Sequence, residues 1–286
     1  MAGTQLESEA ALTLTVGEIA EWMDGWYPPS AAANWDRVGL IAGRRNASVE
    51  RVLLAVDPVD VVLEQAFETR ADMVITHHPL YLRGTSFVSD DDAKGRLVSE
   101  LIRNDVALFN AHTNADVTPL GVATSLADLL GLVDQTFLEA HPSNPGWGYG
   151  RVGRLAQPLS LLNFSQLVAD RLPAGPTGIL VGGDLESRIQ TVAVSGGSGD
   201  SFLEAVRGLD VDAYVTADLR HHPSSEHLED KGPALICGSH WATEWPWLPV
   251  LARRLADHSA AVGQPLDVEV STLVTEPWAL HLETKG

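Results

Sequence analysis

Hydrophobic patterning along this 286-residue chain predicts an α/β fold. Three observations carry that expectation. Short apolar runs alternate with stretches of helical spacing, the mark of strand–helix–strand units. A Pro- and Gly-rich stretch, HPSNPGWGYG at 141–150, is the best candidate boundary and divides the chain into halves 1–140 and 141–286. The two halves also match each other at a fixed offset.

The elements follow in order. Val16, Ile19, Trp22 and Met23 give helical spacing over 16–26. RVLLAVD at 51–57 reads as a buried strand, and 59–69 as a helix with Val59, Val62, Leu63 and Ala66 on one face. DMVIT at 72–76 is a short strand that ends at His77-His78-Pro79. A helix over 94–104 leads to the strand VALFNA (106–111), which ends at His112. Pro119 opens the next helix, which closes near Gly131. The second half reads as a strand at 151–155, a helix at 160–172 and a strand at 178–182. Then come strand 190–195, helix 201–208, strand 213–217, helix 223–230, strand 234–239, helix 241–256 and a late strand at 266–273.

A shift of 140 puts Val52 on Val192, Leu54 on Val194, Leu63-Glu64 on Leu203-Glu204, Asp72 on Asp212, Ile75 on Val215 and Thr76 on Thr216. A shift of 128 puts Ala111-His112 on Ser239-His240 and Asp116 on Glu244. Any repeated strand–helix–strand unit would give the apolar matches. The polar matches at one offset argue for a duplication.

Composition bounds the function. The 19 Lys plus Arg against 38 Asp plus Glu leave a net charge of −19, which repels phosphate backbones and anionic membranes. Nucleic acid is not the expected partner. A small anionic substrate stays open, because bound cations invert the local field. The one cysteine, Cys237, excludes an intrachain disulfide and thiolate-rich metal sites, so any metal must be held by nitrogen and oxygen. Residues 1–20 have no basic segment before an apolar run, and no run approaches the ~20 apolar residues of a membrane span. The expected location is cytoplasmic.

Ligands in α/β folds gather where strands end. Three places fit: His77-His78, His112 to Asp116, and His240 to Glu244. Neighbouring residues on extended chain point to opposite sides, so His77 and His78 can face different ions of a pair. His-x-x-x-Asp and His-x-x-x-Glu converge on one point if the segment is helical. Imidazole with carboxylate suits Zn²⁺, Fe²⁺, Mn²⁺ or Co²⁺. Each residue also has a plainer reading: a loop histidine pair, an N-cap for Asp116, a solvated Glu244. Glu244 is attractive as a carboxylate spanning two ions, a pair that generates a nucleophilic water near neutral pH. Asp218 and His222 are candidates to orient ligands or move protons. Trp241, Trp245 and Trp247 could stack on a ligand, or be core or interface. There is no G-x-x-x-x-G-K-[ST] or G-x-S-x-G. SGGSG at 195–199 lacks dinucleotide spacing. Among ten histidines, spacing alone does not choose the ligands.

The segments NWDRVGL (34–40), ADMVITHHPL (71–80), LFNAHTNAD (108–116), AVSGGSGDS (193–201), DAYVTADLRHH (212–222) and GSHWATE (238–244) occur in the order of the GTP cyclohydrolase 1 type 2 homologues, the Nif-three-like family, which the chain resembles. The resemblance implies two intertwined, duplicated α/β halves with mixed sheets flanked by helices and a dinuclear metal site at their junction. It implies His77, His78, Asp116, His240 and Glu244 as ligands, with Glu244 bridging and His112 near the site but outside the ligand set. It also implies a homohexameric ring. Arg83 stands where the family often has Lys, and with Trp241 is a candidate to face the substrate. The activity implied is a metal-dependent, GTP cyclohydrolase-like hydrolysis of a nucleotide-like small molecule. The competing expectation is a non-enzymatic metal-binding scaffold or metallochaperone.

Overall fold

The structure is a computed structural model and describes residues 13–285; residues 1–12 of the N-terminal segment read above lie outside the described residues. Helix α1 (Val16–Trp26) is set by a capping box, in which Thr15 accepts from the Glu18 amide while the Glu18 carboxylate accepts from the Thr15 amide. It buries Val16, Ile19, Ala20 and Met23. Then come β1 (Gly39–Ala42), β2 (Arg51–Ala55), α2 (Asp60–Glu68), β3 (Met73–Thr76), α3 (Ala93–Arg103), β4 (Ala107–Asn110), α4 (Thr113–Val117), α5 (Val122–Leu129) and β5 (Val133–Thr136). A small hairpin pairs β6 (Glu139–Ala140) with β7 (Gly148–Tyr149). The rest is β8 (Arg151–Ser160), α6 (Leu161–Arg171), β9 (Leu180–Gly182), β10 (Arg188–Ser198), α7 (Leu203–Arg207), β11 (Ala213–Ala217), α8 (His221–Glu229), β12 (Ala234–Gly238), α9 (His240–Glu244), α10 (Trp247–Ala261) and β13 (Asp267–Val270).

Two mixed sheets result, ordered β1-β4-β3-β2-β13 and β5-β8-β10-β11-β12-β9. Their centres are parallel triplets in the same register. Val52 pairs with Met73 and Leu54 with Ile75; 140 residues on, Val192 pairs with Ala213 and Val194 with Val215. The matched acids explain the common register. Asp72 Oδ2 accepts from the amides of Glu50 and Arg51 at 2.8 and 2.9 Å. Asp212 Oδ2 accepts from those of Gln190 and Thr191 at 2.8 and 2.7 Å. Each carboxylate fixes where one strand starts against the next.

Side chains alternate across the strands, so each sheet has one face on a shared core. Val52, Leu54, Ile75 and Phe109 from one sheet and Val192, Val194, Val215 and Ile236 from the other lie in one cluster with Leu126 of α5 and Leu248 and Leu251 of α10. The outer faces are covered separately. Leu53, Val74 and Leu108 pack under Leu63 of α2 and Leu97 and Leu101 of α3. Ala193, Tyr214 and Leu235 pack under Leu203 and Val206 of α7.

The halves exchange edges. β5, from before residue 140, pairs with β8 in the second sheet, and β13, from near the C-terminus, pairs with β2 in the first. The Pro- and Gly-rich stretch at 141–150 falls within and just after the β6–β7 hairpin, and strand pairing crosses the 140/141 division. Three local expectations shift. The helix expected from Pro119 is α5 from Val122, with α4 ahead of it; a Cβ on Gly121 would lie 1.7 Å from the Ala115 carbonyl, so the tight corner requires glycine. The helix expected over 241–256 breaks at Trp245-Pro246 into α9 and α10, because proline has no amide to continue the ladder. The strand at 151–155 extends to Ser160. No helix of the described residues is long and apolar enough to cross a membrane.

Candidate metal centre

The site forms where strands of the two sheets end. After β3 the chain stays extended: the amides of His77 and His78 donate to the carbonyls of Ala55 and Val56 at 3.2 and 2.9 Å. After β4 the chain turns into α4, where the Asp116 amide donates to the His112 carbonyl at 3.1 Å. After β12, Ser239 caps α9 by accepting from the Ala242 amide at 3.1 Å. One helical turn then places His240 and Glu244 on the same face, with Nε2 3.0 Å from Oε1.

Glu244 is the centre. Its Oε1 lies 3.0 Å from His240 Nε2 and 3.5 Å from His77 Nε2, and its Oε2 lies 3.1 Å from His78 Nε2. Asp116 Oδ1 stands 3.6 Å from His77 Nε2. The histidine rings stand tilted against one another, the His78 centroid 5.1 Å from those of both His77 and His240.

Every imidazole at the centre has its other nitrogen tied down. Nδ1 of His77 donates to the Ala111 carbonyl at 2.9 Å, that of His78 to Asp57 at 2.7 Å and that of His240 to Asp218 at 2.7 Å. Nδ1 of His112 donates to Asp36 at 3.0 Å. This fixes the tautomer that leaves Nε2 with a lone pair, as metal-ligating histidines require. Thr275 hydrogen-bonds the second carboxylate oxygen of Asp57, so a C-terminal segment braces His78 from outside.

The electrostatics are those of a site without added positive charge. Burial works against a charge on Glu244, but His78, His77 and His240 hold its carboxyl well below the usual range. Burial likewise opposes protonation of His78, and Glu244 with Asp57 outweighs it, raising the ring well above its ordinary value. His240 rises to about 9, again against burial, through Glu244 and Asp218. Desolvation raises Asp116, against the pull of His77 and His112.

The donors fit divalent cations. His77 Nε2 and Glu244 Oε2 are buried without a hydrogen-bond partner, which is costly unless something else satisfies them. His78, His240 and Glu244 present donor atoms within 4.8 Å of one another, and so do His77, His78 and His112. These groups could hold a metal ion with nitrogen and oxygen alone.

The five residues expected as ligands therefore lie close together, and Asp218 hydrogen-bonds His240 Nδ1 at 2.7 Å. His112 stands beside the centre, its ring centroid 5.2 Å from His77 and 5.5 Å from His78. His222 stands exposed on α8 against His221, Arg83 is exposed outside the cavity beside the cluster, and Trp241 is buried in the shared core. None of these three reaches the centre. Sequence reasoning missed Asp57 and Asp36. Asp57 follows β2 and Asp36 lies in the NWDRVGL segment, but each meets its histidine only through tertiary contact.

The family profile of Duf34/NIF3 (NGG1p interacting factor 3) matches residues 14–277. A Streptomyces coelicolor protein named GTP cyclohydrolase 1 type 2 homolog is 46% identical over 269 residues, covering 93% of this chain and 94% of its own. A protein of the same name from Mycobacterium tuberculosis is 31% identical, covering 96% and 99%. Among solved structures, a Bacillus cereus protein related to NIF3 superposes with a TM-score of 0.86 at 22% identity, covering 94% of this chain and 99% of its own. A Staphylococcus aureus hypothetical protein gives 0.87 at 24%, covering 94% and 100%. By sequence along nearly its whole length, with a matching fold, the chain belongs to the Duf34/NIF3 family.

Proposed function

We propose that the cluster binds two divalent cations and serves as a metal-dependent hydrolase of a nucleotide-like small molecule. The carrying observation is Glu244, whose two oxygens face different histidines, His240 and His77 on one side and His78 on the other. His77, His78, Asp116, His240 and Glu244 would hold the cations, with Glu244 shared. When bound, such a pair supplies a water nucleophile near neutral pH and polarises the electrophile. Asp57, Asp218 and the Ala111 carbonyl keep three imidazoles aimed inward, so that little reorganisation is needed on binding. The printed names of the relatives, GTP cyclohydrolase 1 type 2 homolog, support ring opening of a guanine nucleotide as the first activity to assay.

A second reading, a metal-binding scaffold or metallochaperone, is favoured by His112. A sixth donor beside the five tends toward a closed site, and a closed site has no open position for substrate. Metal content per chain, with GTP turnover by wild type and His240→Ala, separates the readings. Turnover lost in the variant supports the hydrolase. Two ions with no turnover on a broad nucleotide panel supports the scaffold. Near-zero metal in folded protein removes both. The six-copy ring belongs to the same proposal, and light scattering giving a mass below six chains would remove it.

A further inference from the structure

Residues 271–285 follow β13 and run past the strand ends that carry the centre, in no helix or strand. Ser271 anchors the start. Its amide donates to the Leu54 carbonyl at 2.8 Å, its hydroxyl to Gln65 Oε1 at 2.7 Å, and its carbonyl accepts from Trp245 Nε1 at 2.8 Å. From there to residue 285 every position is exposed except two, Thr275 and Glu276, which are half-buried.

Those two neighbours grip opposite sides of the centre. The Thr275 hydroxyl donates to Asp57 Oδ2, while Oδ1 of the same carboxylate accepts from His78 Nδ1 at 2.7 Å. Glu276 Oε1 accepts from the Trp241 amide at 3.0 Å, in the first turn of α9 and next to His240. An amide in that turn has no partner within its own helix, so Glu276 supplies one. One dipeptide thus reaches the residue that orients His78 in the first half and the element that carries His240 and Glu244 in the second. Among the described residues, these are the only hydrogen bonds from beyond Ser271 to the rest of the molecule. A segment held by so few bonds opens without unfolding the sheets, and its opening frees Asp57 and α9 together.

We propose that Thr275 and Glu276 are positioning residues of the metal centre. By gripping Asp57 and α9 at once, the strap keeps His78 aligned with His240 and Glu244 across the junction and slows release of the cations. The proposal rests on the metal-binding reading above, and the two fail separately, because the strap is also followed in metal-free protein.

The test uses the full-length protein loaded with Zn²⁺ and measures release into excess colorimetric chelator. Thr275→Val and Glu276→Ala should each speed release about tenfold, the low end of the effect of losing a partner that orients a ligand. Thr275→Ser keeps the donor and should release near the wild-type rate. On an Asp57→Asn background Thr275→Val should add little, because the hydroxyl acts through that carboxylate; a merely structural loss would add in full. In metal-free protein, amide exchange by NMR reads the strap alone. Thr275→Val removes no bond to Trp241, yet should speed exchange of the Trp241 amide by roughly fivefold or more, because the strap opens as one unit. Release unchanged in both single variants would overturn the proposal, as would full additivity with Asp57→Asn. Wild type that takes up no Zn²⁺ removes the metal reading, and a Trp241 amide unaffected by Thr275→Val then removes the strap as well.

Discussion

The two halves share register and hydrogen bonds where strands begin and differ where strands end. At the beginnings, Asp72 and Asp212 make the same pair of hydrogen bonds to the same two positions of the preceding strand. At the ends, His77-His78 of the first half corresponds to Ala217-Asp218 of the second, and Asp57 to Gly197. Gly197 has φ +65°, and a Cβ there would lie 2.2 Å from Glu244 Oε1 and 3.0 Å from His240 Nε2. The second half cannot keep an aspartate at that position, because Glu244 occupies its space and shares its charge. The partner for His240 comes from the next strand end instead, as Asp218. Strand starts are constrained by the scaffold and strand ends by the centre.

Imposing the first half's residue on the second is the harshest test. Gly197→Asp combines a left-handed backbone with a collision and a like charge, and should cost roughly 2–5 kcal/mol and abolish metal retention. Melting and elemental analysis measure both, and normal metal content in a stable variant would break the comparison. Next in size, Asp57→Asn and Asp218→Asn remove one orienting carboxylate from each half. Each should lower metal affinity about 10–100-fold, with little change in the melting temperature of the metal-free protein. An effect confined to one half would mean the two partners are not equivalent.

Metal affinity should also depend on pH. His240 holds a proton up to about 9 in the metal-free site, and a cation must displace it. Apparent affinity is therefore expected to rise with pH toward about 9 and to fall by up to tenfold per unit below it for each proton displaced. Calorimetry in buffers of different ionisation enthalpy counts those protons, and a release of zero at pH 7 would contradict the charge pattern. The smallest effect belongs to the strand starts. Asp72→Ala and Asp212→Ala should each cost about 1–2 kcal/mol, because both sites are partly solvated, and by similar amounts. Denaturant titration decides it, and a silent variant in either half would show that the shared register has another cause.

How much was legible in the sequence follows the same division. Strands β2, β3, β11 and β12 are short apolar runs buried on both faces, and periodicity finds them. Edge strands β1 and β5 have no such signal: the residues of β1 are all half-buried and those of β5 mostly exposed. Asp72 and Asp212 stood out at one offset because identical hydrogen bonds constrain them. The partners of the histidines did not, since Asp36 and Asp57 lie 76 and 21 residues from His112 and His78. His112 shows the limit most clearly: spacing equated it with His240, the resemblance set it outside the ligands, and its ring stands among those of His77 and His78.

The central claim is that Glu244 joins two cations at the junction of the halves. Elemental analysis of wild type and Glu244→Ala, each purified folded and loaded with Zn²⁺ or Mn²⁺, tests it directly. Two ions per chain in wild type and at most one in the variant is the predicted result. Wild type retaining no metal, or a variant that still holds two, would contradict it.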